Sequence, residues 1–203
     1  MDTVVTGGTI AILAYLIGSI PSAYLVSRWV AGIDIRVAGE GNVGARNAYH
    51  VVGPMWGVVV FLMDVTKGGI VGLALRDRPT WQLMVGGVAV IAGHAFPIWL
   101  GFMGGKGVAT AAGFGFALLA PAAAIGGASA CAVFAVTRRF MPTVIVAIIG
   151  SFVAAALLGK PAATMGIVVC LFALTGVKRA VDEPRMRRIE TATGWDRATG
   201  GTH

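Results

Sequence analysis

A glycine-rich segment with a single lysine, Gly104-Gly105-Lys106-Gly107, contains the residue types best suited to binding phosphate. Glycines let the backbone turn freely and bring N–H groups close to a ligand. A fixed cation among such donors suits an anion, and a helix that we predict to begin near Val108 adds its positive N-terminal end. The alternative interpretation is a flexible loop with a surface lysine.

A second glycine-rich segment, residues 38–50, reads AGEGNVGARNAYH. Spaced glycines combined with asparagines, an arginine and a histidine favour an anion-binding loop. An ordinary, positively charged cytoplasmic loop is the alternative. The candidate binding residues in this segment, which we call the first loop, are Gly39, Glu40, Gly41, Asn42, Gly44, Arg46, Asn47 and His50.

Two charged residues, Asp64 and Lys67, lie inside an apolar run. Each costs about 2.5–3.5 kcal/mol at a bilayer centre on the insertion scale. Because they are three residues apart, they share a helix face and can pair. The pair either faces an interior polar site or is a structural ion pair that sets helix packing. His94 ends the next apolar run, either as a packing residue or as a catalyst.

The composition identifies the elements that must position these residues. Of 203 residues, 57% are hydrophobic and 12% are charged, whereas soluble domains carry roughly a quarter charged residues. The chain is therefore predicted to be an all-α integral membrane protein, and its length accommodates about six to eight helices. The net charge of +7 comes from basic residues concentrated in the segments that we predict to face the cytoplasm, so no nucleic-acid partner is expected.

Seven transmembrane spans are predicted, with six as the alternative because two of them are short. Residues 107–137 form either one bent helix or two short ones, and Ala120-Pro121 favours two. Pro21 is expected to kink the first span and free carbonyl groups for an inward-facing site. Residues 1–193 are predicted to form one membrane domain and 194–203 a disordered tail. The spans are 4–28, 51–75, 81–98, 107–120, 122–137, 142–158 and 162–177.

The distribution of lysine and arginine predicts the orientation of the chain. With the N-terminus outside and the C-terminus in the cytoplasm, only Arg76, Arg78 and Lys160 fall in outside segments, and most other basic residues fall inside. Both glycine-rich segments and the basic tail then lie at the cytoplasmic face. A site formed there suits a substrate with a phosphate head and an acyl tail.

These segments resemble the bacterial acyl-phosphate-dependent glycerol-3-phosphate acyltransferases of the PlsY type. Residues 18–25, GSIPSAYL, resemble the first motif of that family, and residues 39–47 resemble its GSGNxGATN loop. Residues 64–68, DVTKG, resemble its DxxKG motif. The third motif is matched nearly letter for letter by GHAFP at 93–97 and GGKGVAT at 104–110.

The resemblance implies a multi-pass protein of the bacterial cytoplasmic (inner) membrane. It implies transfer of an acyl chain from acyl-phosphate to the 1-hydroxyl of glycerol 3-phosphate, which yields lysophosphatidic acid for phospholipid synthesis. An acyl phosphate is already activated, so no Ser-His or Cys-His nucleophile is required. We expect no cofactor, and no metal because no group of His, Cys, Asp or Glu has ligand spacing. The expected partners are acyl-phosphate, a small phosphorylated or polar acceptor and membrane lipid.

Three departures from the family pattern concern the first loop. Glu40 replaces a serine, Arg46 replaces a threonine, and His50 replaces the arginine that follows the motif. In the C-terminal tail only Arg188-Ile189 resembles the family pattern. We therefore hypothesise that donor handling is retained and that acceptor handling has changed. Glycerol 3-phosphate stays the predicted acceptor, and another hydroxyl or an amine is the alternative. A small transporter or a non-catalytic membrane scaffold is the alternative of another class.

The resemblance and the residue chemistry together suggest roles for the candidate residues. Glu40 accepts a proton, binds an amine or forms a salt bridge to Arg46, and we favour the salt bridge. The assigned roles are: catalysis, Lys106, Asn47 and His50; donor phosphate, Gly39, Gly41, Asn42, Gly44, Gly104, Gly105, Lys106 and Gly107; acceptor, Glu40, Arg46, His50 and Arg188; structural support, Ser22, Asp64, Lys67 and His94.

Overall fold

The computed structural model describes residues 2–138, 140–196 and 201–202. The described residues form nine α-helices, two short 3₁₀ turns and one small hairpin. The expected all-helical architecture is confirmed. The helices are α1 (Asp2–Gly18), α2 (Ser22–Ala31), α3 (Ala45–Val51), α4 (Pro54–Leu75), α5 (Thr80–Ala95), α6 (Val108–Leu118), α7 (Ala120–Thr137), α8 (Phe140–Leu157) and α9 (Ala162–Thr193). The 3₁₀ turns are Ile35–Val37 and Ile98–Leu100.

Among the described residues, seven apolar segments correspond to the seven predicted spans. Five are long and apolar enough to cross a membrane, and two are shorter. Residues 107–137 form two helices, as favoured by the proline at position 121. The exact number of spans and the orientation of the termini stay predictions. The five long segments are Thr3–Ala31, Pro54–Leu75, Thr80–Leu100, Ala120–Thr137 and Ala162–Thr193, and the shorter two are Val108–Leu118 and Ile145–Leu157.

The first span is interrupted rather than merely kinked. Helix α1 ends at Gly18 and α2 begins at Ser22, directly after Pro21. Such a break leaves carbonyl groups without intrahelical partners. The Lys67 ammonium, on α4, donates to the carbonyl oxygens of Ile20 at 2.8 Å and of Gly18 at 3.4 Å. A buried cation therefore closes the C-terminal end of α1, where the helix dipole is negative.

Glycines set the distance between two pairs of helices. At the crossing of α4 and α6, a side chain at Gly68 would overlap the Thr110 carbonyl, and one at Gly113 would overlap the Val65 carbonyl. The crossing of α1 and α5 is formed in the same way, by Gly18 against Val90 and by Gly93 against Tyr15. Small residues allow such close backbone contact between helices in membranes. The close contacts therefore fix the position of α4 relative to α6 and of α1 relative to α5.

Helix α9 joins the bundle to the first loop. Near its start it packs Ile167 and Leu171 into a core that contains Phe114 of α6 and Val90 of α5. Near its end, the Thr193 hydroxyl donates to the Gly39 carbonyl at 3.0 Å. The helix continues to Thr193, well beyond the predicted span of 162–177.

The tail beyond Gly194 contains two short paired strands. Strand β1 (Trp195–Asp196) pairs antiparallel with β2 (Gly201–Thr202). Residues 197–200 and 203 of the predicted disordered tail lie outside the described residues. The division into a membrane domain and a disordered tail stays a prediction.

Replacing Gly113 by alanine should lower the melting temperature of the detergent-solubilised protein, because the added methyl overlaps the Val65 carbonyl of α4. Overpacking of this kind costs on the order of 1–3 kcal/mol. Gly127→Ala on α7 is the matched control, since no described atom lies within 4 Å of a methyl at that position. Equal melting temperatures for the two variants would contradict the close α4–α6 crossing.

Replacing Lys67 by methionine should destabilise the protein by about 3–5 kcal/mol, because it leaves the buried Asp64 carboxylate without its counter-ion. The double variant Lys67→Met/Asp64→Asn should recover part of that loss. Thermal unfolding of the single and double variants measures the coupling. Arg76→Gln, which removes an exposed ion pair, is the control and should change stability by less than about 1 kcal/mol. If the effects of the two single substitutions on stability simply add in the double variant, the two charges are not coupled.

Candidate active site

The break between α1 and α2 lines one side of a small polar pocket. The opposite side is formed by α4, the end of α5 and the segment around Gly104. Two of the sequence motifs far apart in the chain therefore meet the first helix here. The pocket is lined by Gly18, Ser19, Ile20, Pro21, Ser22, Val43, Asp64, Lys67, His94, Pro97, Gly104 and Gly105.

Asp64 and Lys67 form the charged wall of the polar pocket. Their side chains are buried, and the Lys67 Nζ to Asp64 Oδ1 distance is 2.8 Å. The predicted pairing is confirmed. The pair both supports the helix packing and faces a polar pocket, because the same lysine bonds to the end of α1 and lines the pocket.

His94 connects the charged pair to the lysine-containing glycine segment. Its Nδ1 lies 3.5 Å from Lys67 Nζ and 3.2 Å from Thr110 Oγ1. Because an ammonium group only donates, the geometry favours Nδ1 as acceptor and the proton on Nε2. The Nε2 edge faces Gly105, where a side chain would contact it. The ring is therefore held in one orientation by polar neighbours.

Ser22 brings an unsatisfied hydroxyl group to the pocket. Its hydroxyl is buried, and within the described ranges it has no hydrogen-bond partner. Buried polar atoms are nearly always satisfied by protein, water or ligand. The Ser22 hydroxyl is therefore placed to bond with a molecule that enters the pocket.

Asn47 organises the first loop from within. Its side chain is fully buried, and its Oδ1 accepts from the Glu40 N–H at 3.1 Å. Its Nδ2 donates to the carbonyls of Ile35, Ala38 and Asn42 at 2.9–3.2 Å. Because the Asn47 amide already forms hydrogen bonds with backbone groups, these contacts do not support the catalytic role assigned from sequence. They support a structural role.

The two glycine-rich segments meet through Glu40. Its carboxylate is 2% exposed, with Oε2 at 3.3 Å from Arg46 Nη1 and Oε1 at 3.8 Å from Lys106 Nζ. The favoured salt bridge between Glu40 and Arg46 is confirmed. Lys106 and the first loop therefore lie on the same side of the bundle, as the idea of a single site requires.

The N–H groups of Gly104 and Gly105 are committed to backbone bonds. Gly104 N–H donates to Ala95 O and Gly105 N–H donates to His94 O, each at 3.2 Å. The segment folds back on the end of α5, and this pairing takes the donors that the sequence analysis assigned to the donor phosphate. That assignment is corrected for these two N–H groups. Gly107, with a φ of +84°, directly precedes α6, which begins at Val108 as predicted.

The remaining first-loop glycines shape the backbone. Gly39 and Gly41 have positive φ angles of +58° and +67°, a conformation that glycine adopts without strain. Gly41 lies under the Ile189 side chain of α9, and Gly44 precedes α3. Asn42 is buried, and across the described chain its Oδ1 has no hydrogen-bond partner, which leaves it able to bind a ligand or water.

His50 and Arg188 are both exposed, His50 on α3 and Arg188 on α9. The exposed His50 ring makes edge contacts with Tyr49 and with Trp195, at centroid distances of 5.2 and 5.4 Å. Partial removal from water lowers the pKa of the His50 imidazole, and the Arg46 guanidinium lowers it further against the opposing effect of Glu40. Arg188 is exposed and directly precedes Ile189.

Sequence reasoning missed a second buried ion pair beside the pocket. Lys178 Nζ lies 2.6 Å from Asp182 Oδ1, and 4.8 Å from the centroid of the Phe96 ring. The i, i+4 spacing on α9 was the available signal. Sequence reasoning also missed Thr110, which lies four residues after Lys106 in the first turn of α6 and contacts His94.

Comparison with known proteins identifies the family. The glycerol-3-phosphate acyltransferase family model matches residues 8–184. A glycerol-3-phosphate acyltransferase of Myxococcus xanthus is 46% identical over 133 residues, which are 64% of this chain and 69% of that protein. Glycerol-3-phosphate acyltransferase 5 of Dehalococcoides mccartyi is 43% identical over 141 residues, or 66% and 58% of the two chains. The match therefore spans little more than half of some curated relatives.

Solved structures share the whole fold. The crystal structure of PlsY, an integral membrane glycerol 3-phosphate acyltransferase, in its glycerol 3-phosphate form gives a TM-score of 0.73 at 32% identity, covering 92% of this chain and 93% of that one. The lysophosphatidic acid form of PlsY gives a TM-score of 0.71. With its several apolar helices, the chain is a multi-pass membrane protein. It belongs to the glycerol-3-phosphate acyltransferase family.

Proposed function

We propose that this protein transfers a fatty acyl chain from acyl-phosphate to the hydroxyl of glycerol 3-phosphate in the cytoplasmic membrane of a bacterium. The observation that carries the proposal is the meeting of Lys106 with the first loop, at Glu40 and Arg46. The family membership and the relatives named for this activity support it. The product is lysophosphatidic acid.

The reaction needs positioning more than it needs a nucleophile on the protein. The acceptor oxygen forms a bond to the carbonyl carbon of the acyl phosphate, and the bond from that carbon to the phosphate oxygen breaks. The hydroxyl proton ends on the released hydrogen phosphate, so atoms and charge balance. A protein site then contributes by orienting both substrates and by stabilising the developing negative charge.

Lys106 is the residue that we assign to the donor phosphate. Its side chain is partly exposed, and its ammonium lies at the junction of the two glycine-rich segments. The positive end of α6 begins two residues later and favours an anion at the same place. Asn42 would supply a polar side chain beside it.

Arg46, His50 and Arg188 are the residues that we assign to the acceptor. Arg46 is half exposed and already oriented by Glu40. The lowered pKa of His50 keeps its imidazole mostly neutral at pH 7, so it serves as a hydrogen-bonding group rather than as a second cation. We place the acceptor at the rim of the site, open to the aqueous phase.

A different hydroxyl or amine acceptor is the second candidate function. The buried Glu40 carboxylate supports an amine, because it would bind a cationic group in place of Arg46 or Lys106. A transporter is disfavoured because Asp64 and Lys67, the charged pair within the apolar helix α4, are paired with each other and with the end of α1.

Replacing Lys106 by alanine should reduce acyl transfer by roughly 100-fold or more, because it removes the fixed charge assigned to the leaving phosphate. Formation of lysophosphatidic acid by purified protein in lipid nanodiscs is the measurement. Lys160→Ala is the control, since that lysine lies near the start of α9, about 40 Å along the helix from the first loop. Full activity of the Lys106 variant would rule out the donor-site assignment.

Wild-type protein supplied with acyl-phosphate and a panel of acceptors should acylate glycerol 3-phosphate faster than glycerol or an amino alcohol. The panel should be run at several concentrations so that weak binding is not mistaken for rejection. A preference for an amine would establish the alternative acceptor. Absence of turnover with every acceptor would favour the scaffold.

A further inference from the structure

Glu40 occupies an unusual place for a carboxylate. It lies between Gly39 and Gly41, both at positive φ, and its N–H is held by Asn47 Oδ1. This local structure directs the side chain inward, where 2% of it is exposed. A carboxylate so deeply buried requires nearby positive charge.

That charge comes from the groups assigned to the substrate phosphates. Oε2 of Glu40 lies 3.3 Å from Arg46 Nη1, and Oε1 lies 3.8 Å from Lys106 Nζ. In the part of the chain that the structure covers, Oε1 makes no hydrogen bond. One carboxylate therefore offsets part of the positive charge contributed by both glycine-rich segments. It presents their cations with the same kind of charged oxygen atoms that a phosphate would present.

A phosphate that entered this site would meet the carboxylate as well as the cations. Two negative groups within a few ångströms repel each other, most strongly where water is excluded. The phosphate must either share Arg46 and Lys106 with Glu40 or displace its carboxylate from them. Both outcomes reduce the favourable free energy of phosphate binding.

We propose that Glu40 is a specificity-determining residue that competes with substrate phosphate for Arg46 and Lys106. The Glu40 carboxylate offsets one of the two positive charges of Arg46 and Lys106 before any substrate arrives, so phosphate monoesters bind there more weakly than they would to the two cations alone. This inference rests on the proposed function for the identity of the substrates. Its physical content, an internal competitor for an inorganic anion, is measurable without turnover.

The experiment compares wild-type protein with Glu40→Gln and Glu40→Ser in lipid nanodiscs. Binding of inorganic phosphate is measured by calorimetry, and KM is measured separately for glycerol 3-phosphate and for acyl-phosphate. Both uncharged variants should bind inorganic phosphate about tenfold more tightly, and KM for glycerol 3-phosphate should fall. Glu40→Asp, which keeps the charge, should stay closer to wild type.

Asp34→Asn is the matched control. Asp34 pairs with Arg36 at 2.7 Å in the segment that precedes the first loop, and its carboxylate also accepts from the Arg36 N–H. It is also a pair of a carboxylate with a guanidinium, but it is partly exposed and lies outside the proposed phosphate site. Phosphate affinity should be unchanged in this variant. A comparable gain in affinity would show that any loss of negative charge has the effect, and would overturn the assignment to Glu40.

A destabilised variant still tests the inference. Each protein is heated with and without inorganic phosphate, and the shift in its own melting temperature reports binding. Larger phosphate-dependent shifts for Glu40→Gln and Glu40→Ser than for wild type support the proposal. Equal or smaller shifts overturn it. A wild-type protein that binds phosphate but transfers no acyl group would refute the proposed function and leave the role of Glu40 to be decided by the binding comparison.

Discussion

The structure depends on one constraint, which is that charges buried in an apolar bundle must be paired. The Lys67 ammonium meets this constraint with the Asp64 carboxylate and with the carbonyls exposed where α1 ends. Without that cation, the break before Pro21 would leave polar backbone atoms unsatisfied in an apolar setting. Through His94, which lies 3.5 Å from Lys67 Nζ, the same group of contacts also holds α5 beside α1 and α4, so the pairing that permits the fold also shapes the polar pocket.

A second group of paired charges gives the site its electrostatic character. Glu40 links Arg46 of the first loop to Lys106 of the other glycine-rich segment. Helix α9 contacts the first loop through a hydrogen bond from the Thr193 hydroxyl to the Gly39 carbonyl. Three segments separated by tens of residues are thus held at one end of the bundle. Glycine contacts set the distance between α4 and α6, because a side chain at Gly68 or Gly113 would push these two helices apart.

Much of this arrangement could be predicted from residue types and spacing. The spacing of Asp64 and Lys67 predicted their pairing, and Pro21 predicted a kink at the place where the first span is in fact interrupted. Hydrogen-bond partners within loops could not be predicted, because they depend on the path of the backbone. The amide of Asn47 and the N–H groups of Gly104 and Gly105 were assigned to substrate, whereas the folded chain uses them for its own backbone. That one carboxylate, Glu40, contacts both segments was likewise visible only in three dimensions.

The central claim is that Lys106 and the first loop together hold the phosphate of an acyl donor. Its most direct test is a structure of the wild-type protein with a non-hydrolysable acyl phosphonate, solved in lipid. The account predicts that the phosphonate oxygens lie within about 3 Å of Lys106 Nζ, with the acyl chain leaving sideways into the bilayer. A phosphonate bound at the opposite end of the bundle, or out of reach of Lys106, would contradict it.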